Sequence, residues 1–488
     1  MRWAAAGLLV LTIVRLWIAC VVPLAPDEAY YWTWSRALQA GYLDHPPMVA
    51  VWIRIGTAVA GDTALGVRLL GPLCAVLGSV LIYDSAARLF PRRRAGLIAA
   101  VLLNATLGFG AGAVIMTPDT PLLFFWIVTL WAGARLAAGG TVAWWYVAGF
   151  GAGLAVLSKY TAVMLPVGLG IWALWARPRD ARRAAPWLAA GVMVLLFLPV
   201  VLWNADHAWA SFLKQGGRAA DWRPERAAGF LAELVFGQIG LVTPGIFVLF
   251  VMGVAGAVAA IMRRLRAGGE RAGGERAGAA LAVALTLPGA LVFLQHAIGD
   301  RVQGNWPAIL YPGAALAAAG CASARARIWI WPSAALGFAV TALVYLYAGL
   351  GWAALPAARD PVARQLWGWA DLAERVEAAR RDAGAGFVAA EPFGLAAELA
   401  WSHPASVSAG ILAAGRRWDT FKLPRAARPG PGLLIRPARY GERLDRELWG
   451  ETRRLTVIAR PGGGEDYAVF LITRDARMGD GVWLTGRR

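Results

Sequence analysis

Apolar blocks separated by short polar segments run along most of this chain. The blocks hold about 17–25 mostly apolar residues each, and a helix needs about 20 to cross roughly 30 Å of hydrocarbon. The pattern predicts a polytopic α-helical membrane protein with about eleven transmembrane helices, over approximately 4–23, 66–90, 95–112, 121–138, 142–158, 160–176, 185–203, 244–262, 278–297, 307–322 and 328–352.

The charges between the blocks predict the orientation of the chain. Arginine runs occupy 92–94, 177–183, 263–276 and 325–327, and such runs stay on the cytoplasmic side of a membrane. With the amino terminus in the cytoplasm, every run falls inside. The outer loops are then 24–65, 113–120, 204–243 and 298–306, and everything after about 353 also lies outside.

Composition agrees with this interpretation. The chain is 58% hydrophobic, with a mean hydropathy of +0.53, which is too apolar for a protein that is soluble throughout. A net charge of +18 would suggest nucleic acid in a soluble chain. Here the excess lies largely in the cytoplasmic runs, so no nucleic-acid partner is predicted and membrane lipid is the expected surroundings.

The chain changes character after the last block. Residues 1–352 are predicted to form the transmembrane domain and 353–488 a small soluble α/β domain on the outer, periplasmic face. An amphipathic helix is predicted within 359–384, and strands are predicted at GFVAAE, GLLIRPA, RRLTVIAR and DYAVFLITR. Outer-face helices are expected in the first loop, with its Tyr and Trp residues at the membrane interface, and around 225–243.

Groups that can perform chemistry are concentrated on the outer side. All four histidines lie there, with His403 expected as a surface residue of the outer domain, and the carboxylates Asp27, Glu28 and Asp119 follow or precede spans. A channel or secondary transporter would place charges at mid-bilayer depth, whereas the spans carry few, with Arg15 and Asp84 as the main exceptions. The distribution favours an enzyme that acts at the interface on a lipid-borne substrate.

These groups suit glycosyl transfer from a lipid-phosphate sugar. A carboxylate can take the proton of an attacking hydroxyl, and cations can stabilise a departing phosphate. No dinucleotide-binding or Walker signature is present for a nucleotide sugar. Two alternatives stay open: a phosphotransferase or ligase that acts on undecaprenyl-linked glycans, and a flippase or transporter of lipid-linked glycans.

Four motifs in order carry a family resemblance: DEAYYWTWSRALQAGYLDHPP, TPDTPLLFFW, GLAVLSKYTAVMLP and NWPAILYP. Over about 1–350 the chain resembles bacterial family-39-type glycosyltransferases, relatives of the protein O-mannosyltransferases and of the lipid A aminoarabinose transferase. The resemblance implies a GT-C fold and a polyprenyl-phosphate-linked sugar donor. It also implies inverting transfer to a lipopolysaccharide, another envelope glycan or lipid, or a protein, at the periplasmic face of the bacterial inner membrane.

The resemblance and the outer-face pattern together define the candidate site. Asp27 is the expected catalytic carboxylate, with Glu28 beside it; the plainer alternatives are a helix cap for Asp27 and a hydrogen-bonded loop support for Glu28. Some relatives bind a divalent metal ion and others do not, so a metal cofactor stays open and no ligand is assigned. The expected substrate contacts are Tyr30, Tyr31, Asp44, His45, Asp119, Lys159, Tyr160, Arg301 and Asn305.

Overall fold

Helices make up most of the described chain. The computed structural model describes residues 2–91, 94–217, 222–266, 274–351, 356, 359–403, 410–415, 417–423, 431–445, 449–472 and 481–487. The α-helices, in chain order, are α1 (Arg2–Val21), α2 (Pro26–Arg36), α3 (Met48–Ala60), α4 (Ala64–Arg68), α5 (Leu70–Leu89), α6 (Ala95–Asn104), α7 (Leu107–Gly112), α8 (Asp119–Ala137), α9 (Trp144–Val156), α10 (Met164–Ala176), α11 (Pro178–Ala181), α12 (Ala184–Asp206), α13 (Ala210–Gly216), α14 (Ala227–Val242), α15 (Pro244–Arg266), α16 (Gly274–Ala284), α17 (Leu287–His296), α18 (Tyr311–Cys321), α19 (Ala324–Arg327), α20 (Ile330–Leu350), α21 (Pro361–Leu366), α22 (Trp369–Asp382) and α23 (Phe393–Ser402).

The predicted spans all coincide with helical segments. Among the described residues, seven helices are long and apolar enough to cross a membrane, and the other spans are shorter apolar helices. Some spans consist of two helices. The span predicted over 95–112 breaks at Thr106, whose hydroxyl accepts from the backbone N–H of Phe109 and caps α7. The predicted multi-pass helical fold is confirmed.

The chain divides into two compact units. The first comprises Met1–Leu16, His45–Val49 and Leu70–Val344. Its helices approach closely at small residues: a Cβ on Gly149 of α9 would lie 2.2 Å from the carbonyl oxygen of Ala189 in α12. Small residues allow such close backbone contact, and dispersion forces then hold apolar helices together without water to drive association.

The second unit contains Trp17–Asp44, Ala50–Leu69 and Tyr345–Arg488. Its six-stranded sheet has the order β4-β5-β3-β1-β2-β6. Strand β1 pairs in parallel with β2 and β3, and the other pairs are antiparallel. The strands are β1 (Phe387–Ala390), β2 (Ile411–Ala414), β3 (Gly432–Pro437), β4 (Thr452–Ala459), β5 (Asp466–Ile472) and β6 (Gly481–Leu484).

The four predicted strands correspond to β1, β3, β4 and β5, whereas β2 and β6 were not predicted. The single helix predicted over 359–384 is wrong. It is two helices, α21 and α22, separated at Gly368, where φ is 80° and a Cβ would lie 2.0 Å from the carbonyl oxygen of Pro461. Only glycine accepts that conformation and that contact without strain.

Two placements in the second unit also differ from expectation. The Tyr and Trp residues of the first outer loop were predicted at the membrane interface, yet Tyr30, Trp32 and Trp34 are at most 1% exposed. They are buried because α2 packs against α23. His403, expected on the surface, is buried with Nε2 3.7 Å from a carboxylate oxygen of Glu377. The predicted domain boundary at 352/353 lies outside the described residues, as do 92–93 and 267–273 of the arginine runs.

Candidate active site

Glu28 is a buried anchor at the start of α2. Its carboxylate accepts the backbone N–H of Ala25 at 3.0 Å and forms a two-pronged ion pair with Arg68, with Nε–Oε1 at 2.7 Å and Nη2–Oε2 at 2.6 Å. Arg68 also donates to the carbonyl oxygens of Val22 and Pro23, at 2.6 and 2.8 Å. The pair therefore joins the end of α1 to the start of α2, which is the supporting role that the sequence left open for Glu28.

Asp27 has a different environment from its neighbour. It follows Pro26 in the first turn of α2, a position for which proline is well suited, and its side chain is exposed to solvent. Surrounding protein nevertheless raises the pKa of Asp27, the negative charge of Asp44 raises it further, and Arg417 opposes the rise. A carboxylate with a raised pKa is a stronger base once it is deprotonated. Asp27 is thus the carboxylate of α2 that is available for proton transfer.

Asp44 is held by a phenol and a guanidinium. It accepts from the hydroxyl of Tyr30 at 3.0 Å and from Arg417, whose Nε and Nη2 lie 3.0 and 3.2 Å from its two oxygens. Burial and the neighbouring Asp44 raise the pKa of Tyr30 well above its ordinary value, so the phenol stays a neutral donor. The Arg417 guanidinium lies 3.9 Å above the ring of Phe393, which fixes its orientation. Asp44 is therefore a positioned charge.

Tyr30 and Tyr31 belong to an aromatic wall. The ring of Tyr30 packs edge-on against Trp34 and Trp418, with ring centroids 5.2 and 5.3 Å apart, and the ring of Tyr31 lies 4.9 Å from Trp34. Such pairs add stabilisation beyond area burial. The packing explains why α2 is so aromatic; the substrate contacts expected for both tyrosines stay predictions.

Three predicted residues meet in the first unit. Asp119 begins α8, Lys159 follows α9, and Asn305 precedes a 3₁₀ turn at Trp306–Leu310. Nζ of Lys159 lies 2.7 and 2.9 Å from the two carboxylate oxygens of Asp119, and the amide of Asn305 donates to the same carboxylate at 2.5 Å. Asp119 and Lys159 are both buried. Three separate segments of the chain thus contribute to one charged cluster.

The other predicted substrate-contact residues of the first unit are His45, Tyr160 and Arg301. His45 is half-buried in a bend before α3. The segment that follows it runs beside the Lys159 turn, because the N–H of Met48 donates to the carbonyl of Leu157 at 3.1 Å. The hydroxyl of Tyr160 is hydrogen-bonded to Ser211 at 2.7 Å. Arg301 pairs with Glu233 at 2.7 Å, and both side chains are exposed.

Sequence reasoning missed Arg68 and Arg417. Arg68 had a usable signal: an arginine at the outer end of a predicted span runs against the usual charge distribution and so suggests a buried partner. Arg417 had none, because 373 residues separate it from Asp44 and many arginines occur in its domain.

The described residues do not fit a metal centre. No group of three or more His, Cys, Asp or Glu side chains converges among them. The carboxylates of Glu28 and Asp44 are instead paired with Arg68 and Arg417.

The fold is that of the GT-C membrane glycosyltransferases. The chain superposes on ArnT from Cupriavidus metallidurans bound to undecaprenyl phosphate with a TM-score of 0.62 and 15% identity, covering 100% of this chain and 99% of that one. Residues 44–203 match the family model described as dolichyl-phosphate-mannose-protein mannosyltransferase.

Two curated relatives share recognisable sequence. The chain is 31% identical over 293 residues to a lipid A galacturonosyltransferase, RgtD, of Rhizobium johnstonii, a match that covers 58% of each chain. It is 30% identical over 226 residues to an undecaprenyl phosphate-alpha-4-amino-4-deoxy-L-arabinose arabinosyl transferase of Pseudomonas paraeruginosa, over 41% of this chain and 40% of that protein. The matches thus span roughly half of the relatives' lengths. These comparisons confirm the resemblance inferred from the motifs.

Proposed function

We propose that this protein is an inverting glycosyltransferase at the periplasmic face of a bacterial inner membrane. It moves a sugar from a polyprenyl-phosphate donor to a hydroxyl of a lipid A-type glycolipid. The support for the donor is the shared fold with a protein that binds undecaprenyl phosphate and the name of the arabinosyl relative. The support for the acceptor is the relative named as a lipid A galacturonosyltransferase.

The observation that carries the proposal is the contrast between the two adjacent carboxylates of α2. Glu28 is fully occupied by Arg68 and a backbone N–H, whereas Asp27 is exposed and its pKa is raised by the surrounding protein. A general base must reach its substrate and must bind the proton strongly enough to take it. Asp27 meets both conditions.

The reaction then follows in one displacement. Asp27 takes the proton of the acceptor hydroxyl as that oxygen forms its bond to the anomeric carbon. The bond between this carbon and the phosphate oxygen breaks on the opposite side, and the electron pair leaves with polyprenyl phosphate. Attack opposite the leaving group inverts the anomeric configuration.

The leaving phosphate needs positive charge beside it. We assign this role to Lys159 and His45, as the sequence predicts. Because Asp119 accepts from Lys159 and is itself held by Asn305, the ammonium is fixed in advance. Asp119 also neutralises part of its charge, so the imidazole of His45 is assigned as a second hydrogen-bond donor to the phosphate.

The test is turnover of Asp27→Asn. Asparagine keeps the size and caps a helix about as well but cannot accept the proton, so transfer should fall by a factor of about 10²–10⁴. Asp371→Asn is the matched control, since Asp371 is another exposed aspartate in the first turn of a helix of the same unit. The assay measures polyprenyl phosphate released from a lipid-linked labelled sugar, per folded molecule, with lipid A as acceptor.

Each outcome has a distinct meaning. Near-normal turnover of Asp27→Asn removes Asp27 from the mechanism and leaves the helix-cap role. A wild-type protein that leaves the donor linkage intact while lipid moves across the membrane is a flippase. A product that carries the phosphate together with the sugar indicates a phosphotransferase. Transfer to a peptide instead of lipid A would replace the proposed acceptor.

A further inference from the structure

A cavity of about 230 Å³ lies between α9, α10 and α12 in the first unit. Every residue that lines the cavity is apolar, and the lining includes Trp145, Gly170, Leu174, Ala181 and Trp187. Apolar cavities without hydrogen-bonding groups stay dry and take up apolar ligands. The volume accommodates a stretch of hydrocarbon chain.

The cavity lies in the cytoplasmic half of the membrane by the predicted topology. Trp145 is near the start of a span that enters from the cytoplasm, and Leu174 is near the end of a span that returns there. Leu174 and Trp187 are each 67% exposed, so the rim of the cavity meets the surface that faces lipid. Hydrocarbon can therefore enter from the inner leaflet.

A basic loop borders the cavity. Ala181 of α11 lines it, and the exposed Arg179, Arg182 and Arg183 flank Ala181 in the chain. Insertion rules explain why this loop is basic, but they do not explain an apolar cavity that opens beside it.

The loop is also held in place. Arg177 forms an ion pair with Asp180 at 2.6 Å and donates to the carbonyl oxygen of Leu136 at 2.6 Å. The indole of Trp187 donates to the carbonyl oxygen of Ala181 at 2.9 Å. The flanking arginines are thus attached to a fixed backbone at the edge of the cavity.

We propose that this cavity and the arginines of the 177–183 loop form a binding site for an anionic phospholipid of the cytoplasmic leaflet. One acyl chain fills the cavity and the phosphate lies on Arg179, Arg182 and Arg183. Basic pockets between transmembrane helices on the cytoplasmic side bind anionic headgroups in this way. The site is separate from the proposed sugar transfer and does not depend on it.

Two pairs of variants test the site. Gly170 lines the cavity and no atom lies within 4 Å of a Cβ placed there, so the side chain of Gly170→Leu fills the cavity. Gly191→Leu is the control, because a Cβ at Gly191 also meets nothing within 4 Å but Gly191 does not line the cavity. The second pair consists of two triple variants, each of which removes three positive charges. The test variant carries Arg179→Gln, Arg182→Gln and Arg183→Gln. Its control removes exposed arginines of other predicted cytoplasmic loops and carries Arg94→Gln, Arg263→Gln and Arg325→Gln.

Binding of phosphatidylglycerol and phosphatidylcholine to the full-length protein is measured by native mass spectrometry. Wild type and both controls should bind phosphatidylglycerol alike and prefer it to phosphatidylcholine. Gly170→Leu should bind it at least about tenfold more weakly, and the loop triple variant about a hundredfold more weakly. Inorganic phosphate should not compete.

Three results overturn the proposal. They are equal binding of the two lipids, equal binding by Gly170→Leu and Gly191→Leu, and equal losses in the two triple variants. The last would assign the loop arginines to membrane insertion only. The leucine pair keeps the test informative if the loop triple variant fails to insert.

Discussion

The Glu28–Arg68 ion pair allows a prediction about stability that also separates support from catalysis. Both side chains are at most 1% exposed, and two charge-assisted bonds join them. Glu28→Gln removes the negative charge and leaves the guanidinium buried. Breaking a buried pair by removing one partner costs about 3–5 kcal/mol, since an uncompensated buried charge is left behind.

The geometry places the expected loss near the lower end of that range. Arg68 keeps its bonds to the carbonyl oxygens of Val22 and Pro23, and a glutamine can still accept one hydrogen bond. We therefore expect Glu28→Gln to lose about 3 kcal/mol of unfolding free energy. Adding Arg68→Met removes the orphaned charge, so the double variant should lose less than the sum of the two single losses.

The assay combines unfolding followed by tryptophan fluorescence in detergent with turnover per folded molecule. Glu233→Gln is the matched control, because its pair with Arg301 is exposed and such pairs contribute about 0–1 kcal/mol. Turnover per folded Glu28→Gln molecule should stay within a few-fold of wild type. Unchanged stability together with a loss of turnover of about a hundredfold would refute the supporting role and make Glu28 the base.

Three further predictions follow from the described contacts. With Asp27 as the proposed base, activity should fall as pH drops through its raised pKa. Arg417→Gln should move this acid limb to higher pH and Asp44→Asn to lower pH, because Arg417 lowers and Asp44 raises the pKa of Asp27. Identical pH–rate profiles would contradict this coupling. Lys159→Ala should weaken the binding of polyprenyl phosphate about tenfold to a hundredfold in a titration, whereas unchanged affinity would leave Lys159 only its role beside Asp119. Gly368→Ala should lower the melting temperature, since a side chain at φ 80° would meet the carbonyl oxygen of Pro461, and an unchanged melting temperature would show that the backbone can shift.

The spans could be predicted because the bilayer leaves few choices. An apolar block of about 20 residues must satisfy its own backbone hydrogen bonds, so it must be helical. The soluble unit is harder to predict. β6 pairs with β2, which is distant in sequence, and the break at Gly368 depends on Pro461, which is also distant. Local patterns cannot report such contacts.

The sequence predicts a set of candidate site residues but not their partners. Charge asymmetry predicts Asp119, Lys159 and Asn305 on one face of the membrane, but only the fold shows that Asp119 binds the other two. Arg417 reaches Asp44 across most of the chain. Its contribution comes from tertiary structure, and no spacing rule leads to it.

The two adjacent carboxylates of α2 differ because of helix geometry and because of what surrounds each. With about 3.6 residues per turn, neighbouring side chains point roughly 100° apart, so Glu28 can turn inward to Arg68 while Asp27 stays open to solvent. Glu28 is paired with Arg68 whereas Asp27 is exposed, and this difference supports different roles for the two carboxylates. The buried pair also holds the first turn of α2 in position, and a base works only if it is held in position. We therefore propose that Glu28 and Asp27 act together: Glu28 fixes the helix, and Asp27 takes the proton.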